Sequence, residues 1–470
     1  MFRKINPSLF LSGLVLAVIL AIPSGSYAGG PVTRVTAEKV TADTTWKGNV
    51  VVEKTVSVTK GATLVIKPGT VVRFRKNTGL EVQGVLKAEG SKGSPVTLTS
   101  DEKKPARADW YGINLGESGD GTTLKHCVME HAGALSIAAC SPVIQDCEFS
   151  NCNQGLVMAR KSGPVIRGNR IKGMKDGGIS CEMGTSPEIT GNTIDGCGPV
   201  GINVGKDSQP VIKGNTITGC GVGIGLMQPI PPVEDNVLKK NNIGISLNSV
   251  GGGLVIRGNR LLDSETGIAC QQFSSPLIEG NTISGNKEGI VCFRASSPMI
   301  RKNEISGNTK GIICIQLCNP RIMQNDIRGN KEGIYLDLSS YATINGNNIH
   351  ENEMHVDLGN MSADWEHRVN KKPVRGSQAQ TVGMSNAGRE AQPQPGDGSD
   401  IMDSVDATGN WWGAKTTEEM DRKGPDADIA GLRDYYDQPT RTYEGYEGVY
   451  VQDKVRYEGW KKTRIKDAGL

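Results

Sequence analysis

The amino-acid sequence predicts an all-β solenoid of stacked parallel turns, about 22 residues per coil, ending in a C-terminal cap and tail. Three recurrences carry that prediction. Pro recurs at 142, 164, 187, 210, 232, 276, 298 and 320, with Leu254 and Ala342 on two irregular rungs. Five residues later comes Asn on most rungs: Asn169, Asn192, Asn215, Asn259, Asn281, Asn303, Asn325 and Asn347, with Asn236 one residue early and Cys147 on the first rung. Gly followed by Ile or Leu recurs at 155, 178, 201, 223, 244, 267, 289, 311 and 333, in steps of 21 to 23 residues.

The fold class follows from periodicity within one unit. In SPLIEGNTISGNKEGIVC the apolar residues Ile278, Ile283, Ile290 and Cys292 alternate with polar ones, as on strands, and never take helical spacing. Three short strands cannot close a core alone. Stacked at about 4.8 Å, each turn bonds its backbone to the turns above and below, so that 14 turns make a rod of about 65 Å. The Asn column is expected at tight bends, in the left-handed conformation, with side chains bonding along the axis. The Gly before Ile is expected to supply a second bend. These residues read as architecture.

Regions outside the repeat differ in composition. Residues 1–28 combine Arg3 and Lys4, the apolar run LFLSGLVLAVILAI and the small-residue site Ser26-Tyr27-Ala28, which reads as a cleaved signal peptide and an exported protein, periplasmic or extracellular. The run is shorter than the roughly 20 residues of a spanning helix, and no later segment is apolar enough to cross a membrane. The whole chain has a formal charge of +3. Losing Arg3 and Lys4 leaves that balance too small for a nucleic-acid-binding stripe. Residues 29–135 form the N-terminal cap and first irregular coils, and 136–360 the regular repeats. Residues 361–404, polar and rich in Gly, Gln, Ser and Pro, read as a disordered insertion. Residues 405–470 form a closing coil and a Tyr- and Trp-rich tail, expected to cover the open end of the solenoid, with an aromatic ligand surface as the alternative.

The units typified by GNTISGNKEGI resemble those of right-handed parallel β-helices of the pectin-lyase-like type, including NosD-type periplasmic proteins and carbohydrate-binding and sugar-hydrolysing domains. GATLVIKPGTVVRF (61–74), LEVQGVLKAEG (80–90), SPVTLTS (94–100) and DWYGINL (109–115) resemble the opening coils of exported bacterial β-helix proteins. VDATGNWWG (405–413) resembles a closing coil, which implies that Asn410 joins the Asn column. One fold hosts many functions, so the resemblance implies a right-handed single-stranded β-helix and leaves activity open. Enzymes of this type use Asp-bound calcium with a basic proton acceptor, or Asp-rich and Gly-His-Gly motifs. This chain has neither Asp-rich nor Gly-His-Gly elements, and only Arg170–Lys172 (RIK) is similar to one short motif.

Candidate sites therefore lie where the units differ. Asp337 and Asp357 form the best carboxylate pair, outward on adjacent rungs and about 8 Å apart by strand geometry, a separation an inverting glycosidase accepts. His126, Cys127 and His131 form one possible metal cluster, and His350, Glu351, Glu353, His355 and Asp357 another, with no diagnostic ligand spacing. Of the 11 Cys, Cys181, Cys270, Cys292 and Cys314 take an inward position as apolar filler. Cys152, Cys197 and Cys220 align with Asn286, Asn308 and Asn330. Rung spacing permits disulfides Cys197–Cys220, Cys127–Cys147 or a pair among Cys270, Cys292 and Cys314. In the strand after the repeat Gly, the outward residues change from Ser180, Asn203, Ser246 and Asn248 to Val291, Phe293, Ile313, Ile315 and Tyr335. Such a row is covered either by the chain's own tail or by a partner.

The functional expectation is an exported, non-catalytic scaffold that contacts polysaccharide or a cell-envelope partner through this lateral face. The alternatives are a polysaccharide lyase or glycoside hydrolase, and a NosD-like accessory protein for copper insertion. No cofactor is expected, and calcium or copper would follow from the resemblance alone.

Overall fold

The chain is seen here as a computed structural model that describes residues 31–228, 232–370 and 403–470. The expected signal peptide and residues 371–402 of the expected insertion lie outside the described residues. From Val32 onward the strands succeed one another around three faces, and up to the cap each face is a parallel sheet in which a strand pairs with the strand three further on. Among the described residues sheet A, with the strands after the Asn column such as Thr282–Ser284, has 15 strands; sheet B, with the repeat-Gly strands such as Glu288–Phe293, and sheet C, with strands such as Leu277–Glu279, have 16 each, in a solenoid of about 14 turns of about 22 residues. Isoleucine columns fill the interior: Ile278, Ile283 and Ile290 of one rung sit beneath Ile300, Ile305 and Ile312 of the next, all fully buried. The alternation seen in the sequence is thus the pleat of strands with one buried face.

The asparagines stack as a continuous hydrogen-bonded column. Asn303 Oδ1 accepts from the backbone N–H of Asn281 at 2.9 Å and from its Nδ2 at 3.0 Å, and Asn303 Nδ2 in turn donates to Asn325 Oδ1 at 2.9 Å. The same pattern runs from Asn169 to Asn347 and on to Asn410. The column closes where two strands meet at a corner whose backbone N–H has no ladder partner, so the side chain supplies one. The left-handed residue is not the asparagine, as expected from the sequence, but the residue before it: Gly280 (φ 64°), Lys302 (φ 54°) and Gln324 (φ 55°). A second column, Cys220–Asn241–Ser264–Asn286–Asn308–Asn330–Asn352, repeats the device at the next corner.

The repeat Gly also has a different reason from the bend expected. It lies inside the sheet B strand, and a Cβ on Gly289 would stand 2.3 Å from the carbonyl oxygen of Gly311 on the next rung. Close approach of successive rungs excludes a side chain there.

The expected disulfides are not formed: all 11 cysteines are free thiols. Cys270, Cys292 and Cys314 are in register inside sheet B. The corner thiols hydrogen-bond to backbone carbonyls instead, Cys127 Sγ to Ala88 O at 3.2 Å and Cys197 Sγ to Ile171 O at 3.6 Å. Burial holds Cys152 up at about 11 and Cys314 well above the usual thiol range. A neutral thiol of this kind packs as a small apolar residue.

The far end is sealed by the chain itself. Residues 361–370, expected to lack structure, begin with buried Met361 and the helix α1 (Ala363–Asn370). Trp412 and helix α2 (Gly413–Lys423) then bury Met420 over the last turn, and Tyr457 is buried beside them. The strand Leu432–Arg433 adds a further rung to sheet B, and Lys454–Arg456 one to sheet C. The last residues fold back along sheet A: Ile465 N–H donates to Asn348 Oδ1 at 2.8 Å, and Gly469 N–H donates to Gln324 O at 2.8 Å. The aromatic tail covers the end of the apolar column, which an open solenoid would expose.

Candidate binding face on sheet B

Two outward columns define the outer face of sheet B. One runs Ser180, Asn203, Gly225, Ser246, Ala269, Val291, Ile313, Tyr335 and Asp357 in register. The other reaches Asn248, Gln271, Phe293, Ile315 and Asp337. Val291, Phe293 and Ile315 are half-buried, and Phe273, at the corner just beyond, is 52% exposed. Ile313 is only 3% exposed because its neighbours Val291, Ile315 and Tyr335 close around it. Arg294 lies 5.0 Å over the Phe293 ring, and Lys310 Nζ lies 3.8 Å from the Tyr335 ring centroid. A cation over an aromatic ring is attracted by the ring's quadrupole and covers that face.

The tail reaches this face one rung further on. Arg433 Nη1 donates to Asp357 Oδ2 at 2.7 Å, and Gln452 Nε2 donates to the carbonyl oxygens of Leu358 and Gly359 at 3.1 and 3.2 Å. Tyr335, at the boundary, donates its hydroxyl to Asp337 Oδ2 at 2.9 Å. Burial beside Asp337 holds that phenol well above the ordinary tyrosine range.

This seating corrects the expectation for the carboxylate pair. Asp337 and Asp357 occupy outward positions but are 9% and 3% exposed. Asp337 Oδ1 accepts from the backbone N–H groups of Leu338 and Asn360 at 2.9 and 2.7 Å. Burial raises the Asp357 pKa against the opposing pull of Arg433. Both carboxylates are committed to holding the last rung and the tail, and neither is presented to a substrate.

The two histidines named as metal candidates are likewise built into the cap. His350 Nε2 lies 3.0 Å from Asp326 Oδ1, and its ring packs against Trp411. His355 Nε2 lies 3.0 Å from Thr416 Oγ1 of α2, beneath Trp412. His131 Nδ1 lies 3.2 Å from Thr99 Oγ1. Among the described residues no group of three or more His, Cys, Asp and Glu side chains is arranged to hold a metal ion. Ten of the 11 thiols are buried in the solenoid and Cys140 is partly buried, so the thiols present no open set of ligands to a copper ion.

A polar site missed in the sequence lies under the tail. Asp326, 4% exposed, accepts from His350, from Arg464 Nη2 at 2.8 Å and from Arg328 Nε at 3.2 Å, and Arg328 also pairs with Glu304. A polar pocket of about 160 Å³ opens between these groups and residues 468–470. Burial alone would raise the Asp326 pKa; His350, Arg464 and Arg328 outweigh it and the net shift is downward. The partner Arg464 lies 138 residues away in an aperiodic segment, which no repeat could reveal. Replacing Arg464 by Ala is expected to cost about 1 kcal/mol, since the arginine is half exposed. Residues 462–470 should then become cleavable by limited proteolysis while 136–360 stay resistant; unchanged cleavage would refute the anchor.

Two family models match stretches of the repeat. Residues 132–271 match the family model described as the right-handed beta helix region. Residues 231–380 match the model described as periplasmic copper-binding protein (NosD). A search of curated proteins gives no match. Among solved structures, the periplasmic alginate epimerase AlgG is similar at 14% identity over 66% of this chain and 76% of that one, with a TM-score of 0.37. An alginate lyase from a Paenibacillus species is similar at 14% identity over 64% of this chain and 91% of that one, with a TM-score of 0.24. No helix among the described residues is long and apolar enough to cross a membrane.

Proposed function

We propose that this chain, a right-handed parallel β-helix of the pectin-lyase-like type, is an exported, non-catalytic scaffold that binds polysaccharide or a cell-envelope partner through the outer face of sheet B. One observation carries the reading: Val291, Phe293 and Ile315 turn a polar face apolar, while the tail makes its bonds two rungs beyond Ile315, at Asp357, Leu358 and Gly359. An aromatic and aliphatic patch of this kind on a rigid sheet suits a binding role. The engagement of Asp337 and Asp357 in internal bonds weighs against a hydrolase or lyase built on that pair. The NosD match covers the same rungs, but the buried thiols and cap histidines do not make a copper donor set. Export rests on the Arg3–Ala28 pattern.

The test is the double variant Phe293→Asp with Ile315→Asp. Both side chains point away from the core, so the circular dichroism spectrum should stay all-β and the midpoint of thermal unfolding should move by only a few degrees. Capture of envelope components by the immobilised chain should fall at least tenfold. Undiminished capture by a folded variant would reject the face, and collapse of the fold would mean that the patch serves internal packing.

A further inference from the structure

The three outer faces of the solenoid differ in charge. Sheet A presents Glu148, Arg170 and Lys172 on two adjacent rungs, then Asp195, and later Glu304, Asp326 and Arg328. Sheet C presents a ladder of paired charges, Lys213 with Glu234, and Arg257 and Arg301 on either side of Glu279. Sheet B is nearly free of charge over its earlier rungs. From Ser136 to Ala269 in one outward column, from Ala138 to Gln271 in a second and from Gln154 to Thr266 in a third, the only charged side chain is Glu182; Glu288, Lys310 and Glu332 follow on the next three rungs of the third.

That single charge is locally held. Ser180 Oγ and Asn203 Nδ2 donate to Glu182 Oε1 at 2.8 and 3.0 Å. Gly205 stands where a Cβ would lie 2.4 Å from Glu182 Oε2, so a side chain there would displace the carboxylate. Gly225, on the following rung, leaves a dip between Asn203 and Ser246. The rest of the lane offers hydroxyl and amide groups on successive rungs, Ser180, Asn203, Ser246, Asn248 and Gln271, before reaching Phe293.

We infer that this lane takes an uncharged, extended polysaccharide lying along the axis of the solenoid; the inference rests on the sheet B reading above and narrows its ligand. A polymer of hydroxyl-rich rings, each about as long as one rung is high, can repeat its hydrogen bonds with the side-chain amides and hydroxyls at every turn. Phe293 offers a ring face at one end, and Glu182 accepts from sugar hydroxyls at the other. Over the rungs from Ser136 to Gln271 a polyuronate meets no cation in these columns to balance its charge, and meets Glu182 as a repulsive group. A nearly neutral lane flanked by two charged faces selects against acidic chains as well as for neutral ones.

Affinity gel electrophoresis of the mature chain in hydroxyethyl cellulose, galactomannan, dextran, alginate and polygalacturonate tests this. At least one neutral polymer should retard the protein. The retardation should be the same at about 0.05 and 0.5 M salt, because screening acts only on charge. Ser246→Arg should weaken it at least tenfold with thermal unfolding unchanged, whereas Thr216→Arg, on the outer face of sheet A, should not affect it. Retardation by alginate or polygalacturonate alone, by no polymer, or equally in Ser246→Arg overturns the inference. If the inference fails while the Phe293 and Ile315 double variant still loses envelope capture, the lateral-face reading stands and only the ligand class falls. If capture too is unchanged, both fall.

Discussion

Replacing Asn303 by Ala is expected to lower the free energy of unfolding by about 4 kcal/mol, since it breaks five hydrogen bonds in a buried column. The backbone N–H and Nδ2 of Asn281 lose their acceptor, and the carbonyl oxygens of Ile278 and Arg301 and Oδ1 of Asn325 lose a donor. All but the part-buried Arg301 carbonyl are buried, so they regain no partner from bulk water without opening the coil. In a quasi-one-dimensional stack, stability is a sum of rung and nearest-neighbour terms. The damage should therefore centre on the rungs carrying Asn281, Asn303 and Asn325. Urea unfolding combined with peptide-level hydrogen exchange would show it, with faster exchange at 278–326 and little change before residue 200. A loss below about 1 kcal/mol would mean that the asparagine column contributes little beyond its bend geometry.

Acid should weaken the cap by about 3 kcal/mol through one residue, His355. Burial lowers its pKa from the ordinary value of 6.5 to about 4, with His350 adding a smaller push in the same direction. Thr416 Oγ1, Asn352 Nδ2 and the Trp412 ring face the imidazole, along with Gly431. Because the folded pKa is depressed, both states are neutral above about 6.5 and the site contributes no pH dependence there. Between about 6.5 and 4 the unfolded chain takes up a proton that the folded one refuses, so stability falls as pH falls across that window. His355→Asn should remove this slope. The urea midpoints of wild type and variant at pH 7, 5 and 4 give the comparison. Parallel slopes in the two proteins would show that other groups govern the acid response. Asp326 loses its own contribution lower down, below the ordinary aspartate range, because its folded pKa is shifted downward.

What the sequence could convey divides along the line between periodic and aperiodic. Ile278, Ile283, Ile290 and Cys292 were legible as core because strand alternation is a local property, and all four are fully buried. The stacking of Asn169 to Asn347 followed from equal spacing. Its backbone geometry did not, because the left-handed turn falls on Gly280, Lys302 or Gln324, residues with no shared side-chain chemistry. The role of the repeat Gly was misread because its constraint comes from the neighbouring rung's carbonyl, a contact between residues 22 positions apart. Asp337 and Asp357 looked solvent-facing by rung alignment, yet Asn360 and Arg433 cover them. The disulfides were allowed by spacing, yet all 11 cysteines are free thiols. The Asp326–His350–Arg464 cluster and the seat of His355 under α2 depend on a tail without repeats, so no pattern could announce them. By contrast, the change along sheet B from Ser180 and Asn203 to Phe293 and Ile315 was readable, because the rungs serve as their own alignment.

Hydrogen exchange of the mature chain, alone and with a soluble envelope polysaccharide fraction, tests the assignment of function to sheet B most directly. The predicted result is slowed exchange confined to the sheet B strands, above all Glu288–Phe293 and Lys310–Ile315, with sheets A and C and the cap unaffected. Slowing at the cap or along sheet A, with those two strands unchanged, would contradict it.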